Sequence, residues 1–205
     1  MKSFFRFFLN LAIVCAIAVG GYTYLQTHPA LVQQIFPATK APVEKQLKKR
    51  SGSVRWQGAT ATVAIDLDNA HLRQAAYNGI AAWNQTGAFH FQVINNLKKA
   101  DITIGAASEP DSDKAGVTAT QYNPLTKRLL KAKVTLNTYY LLSDFYNYDD
   151  QRLANTVEHE LGHAIGLKHT QEVSVMYPKG SVYTIQPRDV QAAKALYNSS
   201  EKSKQ

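Results

Sequence analysis

The sequence predicts a mixed α/β domain of the α+β type. Two observations lead there. Alternating apolar and polar residues mark strands at Val54–Asp66, Phe89–Val93, Asp101–Gly105, Val117–Gln121 and Leu130–Asn137. Apolar residues at helical spacing, with capping residues at their ends, mark helices near 68–86, 149–165 and from Pro187 onward. The order is strand, helix, several strands, helix, irregular stretch, helix, which fits helices packed on one mixed sheet.

Each element has its own signal. Val63, Ile65 and Leu67 alternate with Thr62, Ala64 and Asp66 in the first strand. Asp68 or Asn69 caps the first helix, which carries Leu72, Ala76, Ile80 and Trp83 on one face and meets Gly87 beyond its end. Ala107 to Ala115 is a polar loop. Tyr122 to Lys127 separates two strands and predicts a hairpin with a longer loop. The second long helix begins at Asp149 or Asp150, runs to about Ile165 and stops at Gly166. Pro187 suits the first turn of the last helix, where Val190, Ala193, Leu196 and Tyr197 share a face.

Composition bounds the rest. A chain of 205 residues that is 45% apolar can bury one core, and 19% charged residues are too few for a disordered polyelectrolyte. The net charge of +8 is uneven. Residues 1–50 hold seven basic side chains and one acid, leaving 16 basic and 14 acidic ones for residues 51–205. The nearly neutral domain lacks the basic face that nucleic acid requires.

Lys2 and Arg6 precede an apolar run of 19 residues from Phe7 to Leu25. Residues 1–25 are therefore a signal peptide, with cleavage conceivable at Ala16-Ile17-Ala18 or Ala18-Val19-Gly20, or an uncleaved signal-anchor helix. In either case positive-inside orientation carries the remainder outside the cytoplasm, so an extracellular domain is expected, held at a membrane or released. Residues 26–53, with Pro29, Pro37, Pro42 and the run Lys48-Lys49-Arg50, read as a basic linker, either a spacer or a processing site. Residues 54–198 form the domain and 199–205 a polar tail; the domain is expected to be a monomer. Cys15, the one cysteine, excludes an intramolecular disulfide and a cysteine zinc site.

The chemistry lies in His159-Glu160-Leu161-Gly162-His163-Ala164-Ile165-Gly166-Leu167-Lys168-His169. On a helix, residues four apart lie one above the other, so His159 and His163 face a common ion. Glu160, one step round, reaches a water on that ion without ligating it. Gly166 lets the backbone leave through a left-handed residue, and His169 returns as a third ligand. Three imidazoles with one open position describe a catalytic zinc site. His28, His71 and His90 read as ordinary linker and surface residues.

Seven residues beyond His169 comes Met176, in Ser174-Val175-Met176-Tyr177-Pro178. This zinc motif and turn resemble those of the metzincin proteases, and among them the matrixins and their small bacterial members. Thr170 stands where serine is common there, and Asp189-Val190 to Leu196-Tyr197 is similar to the family's last helix. The resemblance covers roughly residues 54–198. It implies a twisted, mostly parallel sheet with an antiparallel edge strand, two long helices and a C-terminal helix. It implies one zinc held by His159, His163 and His169, Glu160 as general base, Met176 as an apolar floor, Gly166 as structural support, and Asp189 bonded to the Met-turn backbone. The substrate would be a protein or peptide lying extended near Val117–Gln121.

Two departures accompany the likeness. No histidine lies between His90 and His159, so the structural zinc common in matrixins is not expected, while Glu109, Asp111 and Asp113 are candidate calcium ligands or a solvated acidic loop. Pro178-Lys179-Gly180 replaces the family's Pro-x-Tyr. Cys15 lies in the apolar segment, so cysteine-based latency is not expected. The readings to weigh are a zinc endopeptidase, a zinc amidase acting on cell-wall peptides, and a non-catalytic zinc-stabilised surface module. The general base at Glu160 argues against the last.

Overall fold

The computed structural model describes residues 53–179 and 181–197. The signal or anchor segment, the linker to Gly52 and the polar tail lie outside the described residues. Among the described residues no helix is long and apolar enough to cross a membrane.

The chain runs β1 (Thr60–Ile65), α1 (Ala70–Gln85), β2 (His90–Val93), β3 (Ile102–Ala107), β4 (Gly116–Tyr122), β5 (Leu129–Asn137), α2 (Thr138–Leu141), α3 (Asp150–Ala164) and α4 (Pro187–Tyr197). The five strands form one sheet in the order β2-β1-β3-β5-β4. Every neighbouring pair is parallel except β4–β5, so β4 is an antiparallel edge strand.

The elements follow from local chemistry. Asn69 accepts the Leu72 N–H at 3.1 Å and starts α1, and Gly87, at φ +63°, turns the chain away beyond its end. Leu72, Ala76, Ile80 and Trp83 of α1 are buried against Val157 and Leu161 of α3 and against Val63, Ile102, Ile104, Val134 and Leu136 of the sheet. The Trp83 indole donates to the Glu158 carbonyl at 2.9 Å and ties α1 to α3. Phe89 stacks against Phe91 and Tyr197, each at 4.9 Å between ring centroids, which seats α4 on the core.

Two segments differ from the sequence expectation. The strand expected over 54–66 enters the sheet only at Thr60, because residues 54–56 pair elsewhere. Arg55 bridges to Arg128, and the Trp56 indole donates to the Ala164 carbonyl at 2.9 Å. The four-residue α2 has no apolar period to announce it. Asn137 caps it by accepting the Tyr139 N–H, while its side-chain amide donates to the carbonyls of Glu109 and Lys114. One asparagine thus ends β5, starts α2 and organises the acidic loop before β4.

A candidate metal centre

Asp149 accepts the Arg152 N–H at 2.7 Å and opens α3. The helix ends in a Schellman closure: Gly166 N–H donates to the His163 carbonyl and Leu167 N–H to the Gly162 carbonyl, both at 2.9 Å. Gly166 sits at φ +97°, and a Cβ there would collide with the Val54 carbonyl. The last carbonyls find side-chain donors, Ala164 from Trp56 and Ile165 from the Tyr197 hydroxyl at 2.7 Å. The turn that delivers His169 is therefore clamped by both ends of the domain.

The three imidazoles meet through their Nε2 atoms. His169 Nε2 lies 3.2 Å from His159 Nε2 and 3.0 Å from His163 Nε2. Their Nδ1 sides explain the arrangement. His159 Nδ1 donates to the Val175 carbonyl at 2.6 Å and His163 Nδ1 to the Leu167 carbonyl at 3.0 Å. Carbonyl acceptors place the single proton of a neutral ring on Nδ1 and leave the Nε2 lone pair bare. Burial is the main cause of neutrality: it drives His163 down to about 4, helped by repulsion from His159, and it lowers His159 against the pull of Val175.

Bare lone pairs packed this closely repel unless a cation lies between them. A tetrahedral zinc with arms of about 2.0–2.1 Å has ligand–ligand edges of about 3.3 Å, close to the separations here. The donor set and spacing fit a catalytic zinc. Among the described residues this is the group of three ligating side chains that converges; Glu109, Asp111 and Asp113 form no such group. His71 faces Asp150 at 3.5 Å in an exposed pair, and His90 is exposed on β2.

The open side of the triad faces a cleft of about 740 Å³ between α3, β4 and the segment around Tyr177 and Pro178. Glu160 lines it while only 5% exposed, and burial pushes its carboxyl up to about 7, opposed by a Thr118 hydrogen bond and the charge of Lys114. Met176 is almost fully buried against Gly162 of α3, between the two helical histidines in sequence, where an added Cβ would overlap its sulfur. Asp189 accepts from the Ser174 hydroxyl and from the N–H groups of Val175 and Gln186, each of these two at 2.9 Å. It thus fixes the N–H side of Val175, the residue whose carbonyl accepts from His159 Nδ1. Glu158, on the far side of α3, accepts the Ile185 N–H at 3.1 Å, and burial pushes its carboxyl up to about 7.

Sequence spacing does not mark Thr118, Gly116, Gly162, Trp56 or Tyr197 as site residues. Only Gly162 carried a signal, a small residue inside the histidine motif. The others act through contacts more than 30 positions away in sequence, as Thr118 with Glu160, Trp56 with Ala164 and Tyr197 with Ile165.

The sequence matches the matrixin family over residues 48–198. The chain belongs to the matrixins, a family of zinc metalloendopeptidases. Similar solved structures include two of myroilysin. One shares 15% identity over 57% of this chain and 52% of that one, with a TM-score of 0.38. The other shares 16% over 58% and 48%, with a TM-score of 0.39. Archaemetzincin from Archaeoglobus fulgidus shares 15% identity over 70% of this chain and 98% of that one, at a TM-score of 0.34. The chain spans about half the length of the myroilysin structures it matches. Comparison with curated proteins gave no match.

Proposed function

We propose that the domain is an extracellular endopeptidase that cuts extended protein or peptide substrates, with Glu160 as its general base. The observation that carries this is the position of Glu160: a buried carboxylate on the cleft wall, one residue from His159 and in contact with the edge strand. His159, His163 and His169 would hold zinc, which when bound lowers the pKa of a water and polarises a carbonyl. Glu160 accepts one proton from the attacking water and returns it to the departing amine nitrogen as the C–N bond breaks. Met176, buried against Gly162 of α3, would supply an apolar floor beneath the histidine pair. Among the described residues β4 has a partner strand only on its β5 side, which leaves its other backbone edge to an extended peptide. Backbone pairing reads no side chains, so selectivity belongs to the cleft walls.

The sequence alone supports the location: a basic and apolar N-terminus directs the domain outward, tethered or released. Protease added to intact cells should digest the domain; full protection together with recovery in the cytosol would contradict the location.

The test of activity uses the zinc-loaded full chain on a fluorogenic peptide library. Chelation should abolish cleavage. Glu160→Ala should keep zinc and the fold but lose at least about 10²-fold in turnover, the scale of a positioned acid–base group. Near-normal turnover in that variant would falsify the assignment. Preference for cell-wall peptides over proteins would favour an amidase.

A further inference from the structure

We infer that Thr118 and Gly116 of β4 orient the general base: Thr118 anchors Oε2 of Glu160, and Gly116 leaves Oε1 free to exchange the proton. This rests on the reading of Glu160 above.

Residues 116 and 118 alternate with Val117 and so share one face of β4, the face turned to α3. Thr118 Oγ1 lies 2.6 Å from Glu160 Oε2 and 3.0 Å from the Glu160 carbonyl oxygen. A hydroxyl has one proton, and the shorter contact with the carboxylate takes it, because a charged acceptor makes the stronger bond. When Glu160 gains a proton and accepts more weakly, its own carbonyl is the second acceptor, so the hydroxyl is never stranded. The other oxygen is treated in the opposite way. A Cβ at Gly116 would lie 2.9 Å from Oε1 and 2.9 Å from Cγ of Glu160, so any side chain there would crowd the carboxylate.

One oxygen is therefore held by a hydroxyl, and its twin lies beside Gly116 with no side chain crowding it. Rotation about the last side-chain bond, otherwise broad for Glu, is reduced to one setting. The strand that supplies this clamp is also the open edge of the sheet. A peptide added to β4 would stiffen the strand carrying Thr118, so substrate docking and base orientation are mechanically linked. Thr118 is a positioning residue, since its hydroxyl touches Glu160 rather than the reacting atoms.

The experiment compares Thr118→Val, which keeps the shape and deletes the donor, with Thr118→Ser, which keeps the donor, in the full chain. Glu160→Gln is the reference. With zinc bound, Thr118→Val should lose about 10- to 100-fold in kcat, the range for a hydrogen bond to a charged group, with KM changed less than about twofold. Thr118→Ser should recover to within about threefold of wild type. A second readout needs no turnover. The infrared carboxylate band that disappears in Glu160→Gln should shift in metal-free Thr118→Val and stay in place in Thr118→Ser. Gly116→Ala, which retains the hydroxyl and crowds Oε1, should also lose kcat; it serves if Thr118→Val does not fold. Wild-type kcat in Thr118→Val or Gly116→Ala beside an inactive Glu160→Gln would overturn the proposal. So would a serine variant as slow as the valine one with an equally shifted band. An active Glu160→Gln would refute the base itself, while the infrared shift would still report whether Thr118 holds the carboxylate.

Discussion

Gly162 sits in the helical turn between His159 and His163, and its missing Cβ is what lets the Met176 sulfur lie against α3. The histidines four apart are legible from sequence because helix geometry alone aligns them. The need for glycine between them is not, since it depends on a methionine 14 positions on. Gly162→Ala should therefore act as overpacking, costing about 1–3 kcal/mol. For a domain of this size that is a fall in melting temperature on the order of 2–12 °C. Displaced Met176 would carry Val175 with it, loosening the acceptor of His159 Nδ1, so zinc affinity should fall as well. Thermal unfolding and competition with a chelating indicator would check both. Unchanged values would mean that the methionine yields without cost.

The long elements are where sequence periodicity and structure agree. α1 begins at Asn69 and turns at Gly87, and α3 begins at Asp149 and stops at Gly166, because caps are local and need no tertiary partner. β1 is shorter than its alternation suggests, because Trp56 and Arg55 are claimed by α3 and by the start of β5. α4 contributes beyond packing: Asp189, in its first turn, gathers Gln186, Ser174 and Val175 around one buried carboxylate. Asp189→Asn keeps the shape but removes the charge that these donors face. Stability should fall by about 1.5–3 kcal/mol, the range for hydrogen bonds to a charged group. Zinc affinity should fall about 10- to 100-fold, as for other outer partners of a metal ligand, because the Val175 carbonyl is no longer fixed. Titration of metal-free variant and wild type with zinc would measure this. Equal affinity would show that the turn holds its form without the charge.

At the scale of the whole domain, α3 and the turn after it place His169 Nε2 3.2 Å from His159 Nε2 and 3.0 Å from His163 Nε2. Zinc binding to this state and not to the unfolded chain stabilises the fold by mass action, about 4 kcal/mol at a thousandfold excess over the dissociation constant. Dialysed protein should hold about one zinc per chain, since a tight structural site needs four good ligands and the residues between His90 and His159 offer no histidine. Elemental analysis tests the count, and two tightly held ions would refute it. Chelation should lower the melting temperature, and added zinc should restore it.

By itself, the sequence determined the three long helices, most of the strands, and the triad of His159, His163 and His169. All of these depend on residues within a few turns of one another, where spacing translates directly into direction. The short α2, the departure of residues 54–56 from β1, and the clamps around Gly166 and Glu160 were decided only in three dimensions. Each depends on a partner that chain order does not identify: Trp56 reaches Ala164, Tyr197 reaches Ile165, and Thr118 reaches Glu160. Such a hydrogen bond is specified by how the sheet and helices pack, and no periodicity records which distant carbonyl or carboxylate a side chain will meet.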